Sequence, residues 1–518
     1  MTRTRREIRA LGETWNDTTL WYARGVRAMQ ARAPAERTSW RFLAAMHNFD
    51  QTVWTRLGIL APDDRLPSAR EQQRYWRQCQ HGSWYFLPWH RAYLLSFELI
   101  VRAAIADLGG PEDWALPYWN YSYGGGAGRA NVPPAFTAHR LPDGTDNPLY
   151  VARRYGGSVP ADLAGVEAAV TTSRAYTPEG SVPPSIQGPF TPFAGPGTGH
   201  GGEAGLLEST PHNKVHDVIG GHAVDAAGNR VSGLLATTAT AGLDPLFWLH
   251  HANIDRVWQV WRQRDPAHNH DPDDARWLDG PADRRFAVFG ADGHDLPCTA
   301  RDMTSLAALG YDYDDTRDPY PGGSRRRRRL DTFAARHDDF ILAGEERPMA
   351  EPTGSGPSGP EILGANDGAI RLGREPVTTR LRLAPQPLGA LRRSFTPSAL
   401  RLDTPGEPDR VFLQLDGITS QDGSGLFDVV VHPADAPHDK GRTVGTLSLF
   451  GIEDASAPRG DHGGGGLSRT LEVTEALDAM KLHDAEVAAL DVRIVPRSEI
   501  PPETVRIGQI SLLRVPQG

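Results

Sequence analysis

The sequence has few cysteines and no long apolar run, and both absences limit what the protein can be. Cys79 and Cys298 are the only cysteines in 518 residues, so no disulfide framework can hold the chain together. Paired arginines near the N-terminus have no apolar segment behind them, and no stretch of about 18 apolar residues could span a bilayer. We therefore predict a protein of the reducing cytoplasm, although export by a separate partner would leave no trace here.

An excess of one charge sign is also missing. The formal net charge is only −9, which gives no general attraction to nucleic acid. Five arginines at 325–329 fit either a nucleic-acid or targeting patch or an exposed linker, and their Gly/Pro-rich surroundings favour the linker. Hydrophobic residues (39%) and charged residues (23%) are at the ordinary level of a soluble globular protein, and the length suits two or three domains.

The aromatic residues mark a domain boundary. All thirteen tryptophans lie at or before Trp277, and the last tyrosine is Tyr320. The segment that follows is rich in Gly, Pro, Ser and Arg and cannot bury a core. We predict a first domain over 1–320, a flexible, protease-sensitive linker over 321–373 and a second domain over 374–518.

The first domain has the periodicity of helices. Apolar residues follow helical spacing over 38–57, from Pro88 to Gly109, and over 245–261, and a further helix begins near Pro211. Four such helices with inward histidines predict a mainly α domain, a four-helix bundle whose core holds metal.

The second domain has the periodicity of strands. Short alternating segments such as 411–415, 427–431 and 490–495 are separated by Gly/Asp turns. This pattern predicts an all-β sandwich or barrel, with one short helix near 474–483.

Histidines occur at helical spacing in the predicted bundle. His212 and His216 are four residues apart, which places both imidazoles on one helical face. The pair alone is a weak signal, and it is not the zinc-protease pattern, because Asn213 stands where that pattern has Glu. His250 and His251 point about 100° apart on a helix, so at most one of them faces a given metal.

Three histidines upstream complete the set. His47 lies on the inward stripe of the first predicted helix, His81 on a loop, and His90 in the first turn of the second helix. A single buried histidine is usually a satisfied core residue, but several uncharged imidazoles in one bundle need something to bind. Imidazoles suit copper, zinc, iron or nickel, whereas calcium and magnesium prefer oxygen. Three neutral ligands per ion leave an open position, as in a reactive site.

Two longer motifs carry a family resemblance. Residues 81–98 read H-x4-F-L-P-W-H-R-x2-L-x3-E, and residues 244–255 read D-P-L-F-W-x2-H-x3-D. Both resemble the signatures of the tyrosinase, catechol oxidase and mollusc-type haemocyanin superfamily, the coupled binuclear copper proteins. The resemblance implies two copper ions and makes His250 a neighbour that binds neither, with no firm role for His222. The implied ligands are His47, His81 and His90 for the first copper and His212, His216 and His251 for the second.

The resemblance also implies roles for further residues. Cys79 stands where fungal and molluscan members form a thioether to the histidine two residues on, here His81; an unmodified buried thiol is the alternative. Glu208 and Asn213 stand where plant-type enzymes orient a water that takes the phenol proton, although Glu208 near a helix start also fits a capping role. Thr238 corresponds to the bulky gate residue above the first copper in plant enzymes, and its small side chain would leave that copper more open.

The C-terminal part extends the resemblance. The Tyr311-Asp-Tyr313 segment is similar to the tyrosine motif that closes the catalytic domain. Residues 426–429 and the final strands resemble the C-terminal domain of plant polyphenol oxidases, which covers the copper site in the latent enzyme. The cysteines of the plant disulfides and the transit peptide are missing. We therefore expect an activatable enzyme that its second domain shields until the linker is cut.

The expected function is oxidation of phenols by O2, from o-diphenol to o-quinone, together with ortho-hydroxylation of monophenols. The alternatives are an o-aminophenol oxidase, a diphenol-only catechol oxidase and a haemocyanin-like oxygen carrier, which the single catalytic unit and the linker disfavour. A zinc hydrolase would need a carboxylate beside the ligand pair. The expected partners are a small phenolic substrate and O2, with neither nucleic acid nor a membrane; a homo-oligomer and a copper chaperone are left open.

Overall fold

A computed structural model describes most of the chain, and two buried hydrophobic clusters organise it, one in the N-terminal and one in the C-terminal part. None of the helices in the described segments combines the length and apolar character needed to cross a membrane. The predicted linker over 321–359 falls outside the described residues and stays a prediction. The described residues are 2–123, 128–171, 193, 204–266, 269–280, 286–320, 360–395, 409–420, 425–434, 441–457, 464–480, 487–497 and 504–516.

The N-terminal part is mainly helical, as predicted. Two of its helices, α5 and α9, lie at the centre, with most of their side chains buried. Two short strand pairs accompany the helices: β1 (Arg3–Arg5) runs parallel to β4 (Tyr311–Tyr313), and β2 (His222–Val224) antiparallel to β3 (Arg230–Ser232). The helices are α1 (Asp17–Gln30), α2 (Trp40–His47), α3 (Gln51–Arg56), α4 (Ala69–Tyr75), α5 (Phe86–Asp107), α6 (Glu167–Val170), α7 (Lys214–Gly220), α8 (Thr238–Ala241), α9 (Pro245–Arg264), α10 (Ala275–Leu278) and α11 (Leu306–Leu309).

Capping residues set the ends of the helices. The Asp244 carboxylate accepts a hydrogen bond from the Leu246 amide at 2.9 Å, and Pro245 occupies the first position of α9. The predicted helix over 38–57 is wrong as one unit, because Asn48 is extended and separates α2 from α3. The physical reason is a second capping residue: the Asp50 carboxylate accepts a hydrogen bond from the Val53 amide at 2.9 Å and starts α3.

A buried ionic network joins the central helices. Asp255 on α9 accepts hydrogen bonds from the Arg91 guanidinium on α5 at 2.5 Å and from the Tyr311 and Tyr313 hydroxyls at 2.7 and 2.5 Å. Arg5 lies 3.4 Å from the same carboxylate. Although burial alone would raise it, the two guanidinium groups hold the pKa of Asp255 below its usual range. The Arg91–Asp255 pair therefore joins α5 to α9, and the tyrosine pair joins β4 to α9, as expected for a motif that closes the domain.

The C-terminal part is an eight-stranded antiparallel sheet in the order β10-β9-β12-β7-β5-β14-β8-β11. Its two edges approach each other, since a Cβ at Gly445 on β10 would lie 2.8 Å from Leu471 on β11. The helix α14 (Thr474–Ala479) lies where a short helix was predicted, and α12 (Pro385–Ser394) and α13 (Ile452–Ser456) accompany it. The strands are β5 (Glu361–Ala365), β6 (Ile370–Leu372), β7 (Val377–Leu383), β8 (Arg410–Ile418), β9 (Leu426–Pro433), β10 (Arg442–Ser448), β11 (Leu467–Glu472), β12 (Ala489–Pro496), β13 (Val505–Ile507) and β14 (Gln509–Val515).

One boundary differs from the prediction. Strands β5 and β6 lie inside the segment 321–373 that composition assigned to the linker. Leu363 and Leu372 are buried in the C-terminal core, β5 pairs with β14, and β6 pairs with β13. The second domain therefore begins by Glu361. The sequence did not show this boundary, because two short strands around a Gly/Asp turn have too little alternation to stand out from a Gly/Pro-rich background.

The two parts are in close contact. Leu426 and Phe450 belong to the C-terminal part in sequence but are buried in the N-terminal hydrophobic cluster. Arg497 beside β12 forms an ion pair with Asp162 at 2.5 Å. The second domain therefore places the Phe450 side chain in the hydrophobic core of the helical part.

Candidate metal centre

The first cluster consists of His47, Cys79, His81 and His90, whose ligand atoms lie within 4.8 Å of one another. His47 is the last residue of α2, and His90 is in the first turn and a half of α5. Cys79 and His81 come from the loop between α4 and α5, and His81 is the only partly exposed member. Three separate chain segments thus converge on one space.

The second cluster consists of His212, His216, His250 and His251, again with ligand atoms within 4.8 Å and all four buried. His212 lies in an irregular segment, Glu208–Asn213, that leads into α7, and His216 is one turn further along α7. The other two are neighbours on α9. The HxxxH spacing therefore does place both imidazoles toward one centre.

Backbone carbonyls fix the orientation of three imidazoles. The Nδ1–H groups of His47, His90 and His216 donate to the carbonyl oxygens of Thr238, Phe86 and Leu235 at 2.9, 2.7 and 2.8 Å. In each ring this leaves Nε2 as the free lone pair. A hydrogen bond to the far nitrogen is the usual way in which a protein orients a metal-binding histidine.

The imidazoles are neutral, the form that binds metal. Burial lowers the pKa of His47 to about 4 and that of His250 to about 3. Burial and the neighbouring rings hold the pKa values of His90, His212 and His251 well below the usual range. Proton competition for the lone pairs is therefore weak near neutral pH.

The free nitrogens fit a transition metal. His251 Nε2 lies 3.3 Å from His212 Nε2 and 3.5 Å from His216 Nε2, so three nitrogens face one another. His47 Nε2 is buried without a hydrogen-bond partner among the described residues. A cation would turn these crowded lone pairs into ligands, and imidazole with one thiol suits copper, not calcium or magnesium.

Cys79 is aimed at the ring of His81. Its Sγ lies 3.5 Å from both Nδ1 and Nε2 of His81. The same sulfur is 3.3 Å from His90 Nε2. Burial raises the pKa of the Cys79 thiol well above its ordinary value, because the thiolate would lose its solvation.

Glu208 and Asn213 lie beside the second cluster. Glu208 Oε1 accepts a hydrogen bond from the Gly82 amide at 2.8 Å, while Oε2 is buried with no partner among the described residues. Burial raises the pKa of Glu208 to about 8, against a smaller opposing effect of Arg469. Asn213 Oδ1 accepts from His212 Nδ1 at 2.8 Å. Glu208, Asn213 and Arg469 all line a cavity of about 20 Å³, enough for about one water molecule.

An aromatic ring from the second domain covers the second cluster. Phe450 stacks on His216 with ring centroids 4.0 Å apart and planes 13° apart, and it meets His212 edge-on at 5.7 Å. Beside it, the Asp217 carboxylate accepts hydrogen bonds from the Ser448 hydroxyl at 2.6 Å and the Leu449 amide at 3.1 Å. The helix that carries His216 thus also holds the segment that covers it.

The first cluster has a further neighbour in the second domain besides Phe450, whose ring meets His81 edge-on at 5.6 Å. Thr238, the predicted gate residue, hydrogen-bonds through its hydroxyl to the Asp454 carboxylate of the second domain, and Asn48 Nδ2 donates to the same carboxylate at 2.9 Å. A cavity of about 810 Å³ reaches this point, and His47 and His81 line it.

Comparison with known proteins identifies the family. A family model described as the common central domain of tyrosinase matches residues 37–264, and one for a domain of unknown function matches 359–515. The protein "Tyrosinase HcTyr1" of Hahella sp. (strain CCB-MM4) is 30% identical over 516 residues, which cover 96% of this chain and 97% of that protein. This chain belongs to the tyrosinase family. It is a copper-dependent phenol oxidase, and its substrates are phenols and O2.

Plant relatives match a smaller part. The chloroplastic polyphenol oxidase of Vitis vinifera is 28% identical over 255 residues, 46% of this chain and 38% of that protein. The fold is similar over the whole chain to two solved structures. Latent aurone synthase is 19% identical with a TM-score of 0.55, and the match covers 100% of this chain and 90% of that one. Latent apple tyrosinase is 20% identical with a TM-score of 0.55, and the match covers 99% of this chain and 96% of that one. Both predicted architectures, the helical bundle and the all-β C-terminal domain, are confirmed.

Sequence reasoning for this tyrosinase-family protein found the residues of both clusters but missed their surroundings. Helix geometry allowed at most one of His250 and His251 to face a given metal, and the family resemblance made His250 a neighbour; its ring lies in the second cluster, with Nδ1 2.8 Å from the Tyr121 hydroxyl. His222 lies on β2, outside both clusters. Phe450 and Asp217 were not singled out, because contacts between distant segments leave no spacing signal. Gly451, which follows Phe450 with φ +83, is the one local hint of a turn there.

Proposed function

We propose that the protein oxidises o-diphenols to o-quinones and hydroxylates monophenols at the ortho position, on two copper ions, and that the closed arrangement is latent. The observation that carries the proposal is the pair of adjacent imidazole clusters whose Nε2 atoms face inward. When bound, such a copper pair supplies the redox chemistry between O2 and the phenol, which needs two electrons for each diphenol oxidised. The finding that half of the centre is covered by Phe450 supports latency.

The ligand assignment follows the orientation of the rings. The first copper would be held by His47, His81 and His90, and the second by His212, His216 and His251. His250 stays outside this set, because the Nε2 atoms that face one another at 3.3 and 3.5 Å are those of His212, His216 and His251. Three neutral ligands for each ion leave room for a further ligand, as an active site requires.

Glu208 is the candidate base for monophenols. A phenol must lose its proton before it is hydroxylated, and Glu208 Oε2 faces a cavity of the size of one water molecule. Burial raises the pKa of Glu208 to about 8, close enough to neutral pH for the group to release a proton and take one up through that water. Asn213 lines the same cavity and fixes His212 through its side-chain oxygen.

The latent state is supported by where Phe450 lies. A substrate ring that approaches the second copper would stack on His216, and Phe450 already does so. Asp217 anchors the covering segment, and Asp454 holds the neighbouring helix α13 against Thr238. Cutting the predicted linker would remove the covalent connection that keeps the second domain near the site.

A thioether between Cys79 and His81 is part of the proposal. The bond would join Sγ to a carbon of the His81 ring, whose two nitrogens lie 3.5 Å from the sulfur, replacing one S–H and one C–H bond. Two protons and two electrons leave in this step, and O2 is their acceptor. The rigid link would hold His81, the ligand that no helix supports.

Oxygen uptake with matched substrates tests the proposal. Copper-loaded protein, uncut and cut by protease within 321–359, is assayed with a catechol, an o-aminophenol and a monophenol. We expect quinone formation from catechol in the cut form and a smaller rate in the uncut form. Catechol turnover without monophenol turnover would indicate a diphenol-only oxidase, and no oxygen uptake in any form would reject the proposed reactions. Mass spectrometry that finds a loss of two hydrogens supports the thioether.

The cytoplasmic location, a homo-oligomer and a copper chaperone stay predictions. Fractionation of cells and size determination of the purified protein address the first two. Metal content of protein made with and without co-produced cellular factors addresses the third.

A further inference from the structure

The two clusters differ in how they reach the surface. The cavity of about 810 Å³ is lined by His47, Cys79 and His81 of the first cluster. The described residues that line it include none of the second cluster. Since a water molecule occupies about 30 Å³ in the liquid, a cavity of this size admits an ion with its hydration shell.

The second cluster is covered on its substrate side. All four of its imidazoles are buried, and Phe450 contacts His216 face-on and His212 edge-on. The cover is held by the hydrogen bonds from Ser448 and Leu449 to Asp217. An ion that arrives from this side must wait until the second domain moves.

We propose that the closed protein takes up metal at its first cluster directly through this cavity, whereas the second cluster takes up metal only when Phe450 withdraws. The inference rests on the proposed function for the identity of the ligands. The second domain is then both a shield against phenols and a gate that sets the order in which the two metal ions bind.

The chemistry along the cavity supports this order. Four carboxylates line the wall and offset its four arginines, so no net positive charge repels a cation; the carboxylates are Asp50, Asp225, Glu453 and Asp454, and the arginines Arg56, Arg77, Arg153 and Arg230. Cys79 and the partly exposed His81 lie at the inner end, where a thiol and an imidazole can replace water as ligands. His47 then provides a buried Nε2 that has no hydrogen-bond partner in the described part of the chain.

A competing route runs through the interior. The rings of His90 and His251 stack with centroids 4.4 Å apart, so an ion bound at the first cluster lies close to the second. An ion that crossed by this route would fill the second cluster without any movement of Phe450. The two routes make opposite predictions for a Phe450 variant.

Metal uptake by the full-length apoprotein tests the proposal. Chelator-stripped protein is mixed with two equivalents of Co²⁺, its absorption is followed in time, and bound metal is counted after a chelator quench. We expect one ion per chain in a fast phase and a second in a phase at least about tenfold slower, because only the minor open form binds it. His81→Ala should remove the fast phase, and His216→Ala the slow phase.

Two further variants assign the routes. Phe450→Ala should speed the slow phase about tenfold and leave the fast phase unchanged, since it removes the cover alone. Ala457→Trp, which fills the cavity wall, should slow the fast phase, whereas Ala457→Ser, which adds little volume, should not.

The metal-uptake experiment has four informative outcomes. Biphasic uptake with the slow phase sensitive to Phe450→Ala supports the proposal. Uptake of two ions in one fast phase, or a slow phase that Phe450→Ala leaves unchanged, overturns it, even if the loaded protein oxidises catechol. Failure to bind Co²⁺ and Cu²⁺ at either cluster would reject the proposed function as well.

Discussion

The first and second clusters have the same ligand chemistry but different supports. The second is built on α7, the irregular segment before it and α9, and is completely buried, whereas the first combines the end of α2, the start of α5 and a loop. The second domain places an aromatic ring on the second cluster and a carboxylate beside the first. Under the two proposals above, one domain closes an active site to aromatic substrates and leaves half of it open to small ions.

The largest effect is expected from loss of a ligand in either cluster. His251→Ala and His90→Ala should each abolish phenol oxidation, because two electrons must be exchanged at a pair of ions. Metal analysis should find one copper per chain in each variant instead of two. Oxidation that persists in either variant would contradict the proposed pairing of the clusters.

Substitution of Asp255 should lower the stability of the protein without affecting one cluster more than the other. Asp255→Asn leaves Arg91 buried without its carboxylate, whereas Arg5 keeps its ion pair with Glu98 at 2.5 Å, and we expect the free energy of unfolding to fall by about 3–5 kcal/mol. Asp312→Asn is the matched control, since Asp312 lies on the same network's strand β4 but is exposed, and should change stability by less than about 0.5 kcal/mol. Urea unfolding measures both.

Glu208→Gln should separate the two substrate classes. In the cut enzyme we expect kcat/KM for a monophenol to fall about 100-fold, because the base is lost, and kcat/KM for a catechol to change little. Ser209→Ala, a partly buried neighbour outside the cavity, is the control. Equal losses on both substrates would show that Glu208 serves only to hold Gly82.

Phe450→Ala should make the second cluster more accessible to substrate in the closed protein. We expect catechol turnover of uncut enzyme to rise about tenfold, since the ring that occupies the substrate position is removed. Phe450→Leu, which keeps most of the volume, should have an intermediate effect. The rate of the cut enzyme should be the same for all three proteins, and a difference there would indicate damage to the site itself.

The smallest effects are expected at Asp217 and Asp454, the two carboxylates at the contact between the domains. Asp217→Asn keeps an acceptor but loses the charge, which should cost the closed state about 1 kcal/mol and raise uncut activity about fivefold. Asp454→Asn should loosen the contact at the first cluster with a smaller gain, because Phe450 stays in place. Catechol oxidation before and after proteolysis measures both. A larger effect at Asp454 than at Asp217 would reverse the assignment of the cover to the second cluster.

The histidine clusters were predictable because local rules place them. The i, i+4 pair His212 and His216 does meet at one centre, although His212 lies in the irregular segment before α7. The motifs around His90 and His251 lie on helices whose Pro and Asp signals are visible in the sequence. Helix periodicity was less informative at 48–50, where one capping residue divides a helix, and at 361–372, where two short strands were assigned to the linker. Short elements are decided by pairing partners far away in the chain, such as β14 for β5.

The sequence by itself determined a helical domain with six metal-competent histidines, a β domain behind it and the family to which the chain belongs. Only the tertiary structure decided that Phe450 lies on His216, that Asp217 and Asp454 hold the cover, and that one cluster opens to a cavity while the other does not. The physical reason is range: spacing along a helix is set by neighbours a few residues away, whereas a contact between residues more than two hundred positions apart depends on how two complete domains pack.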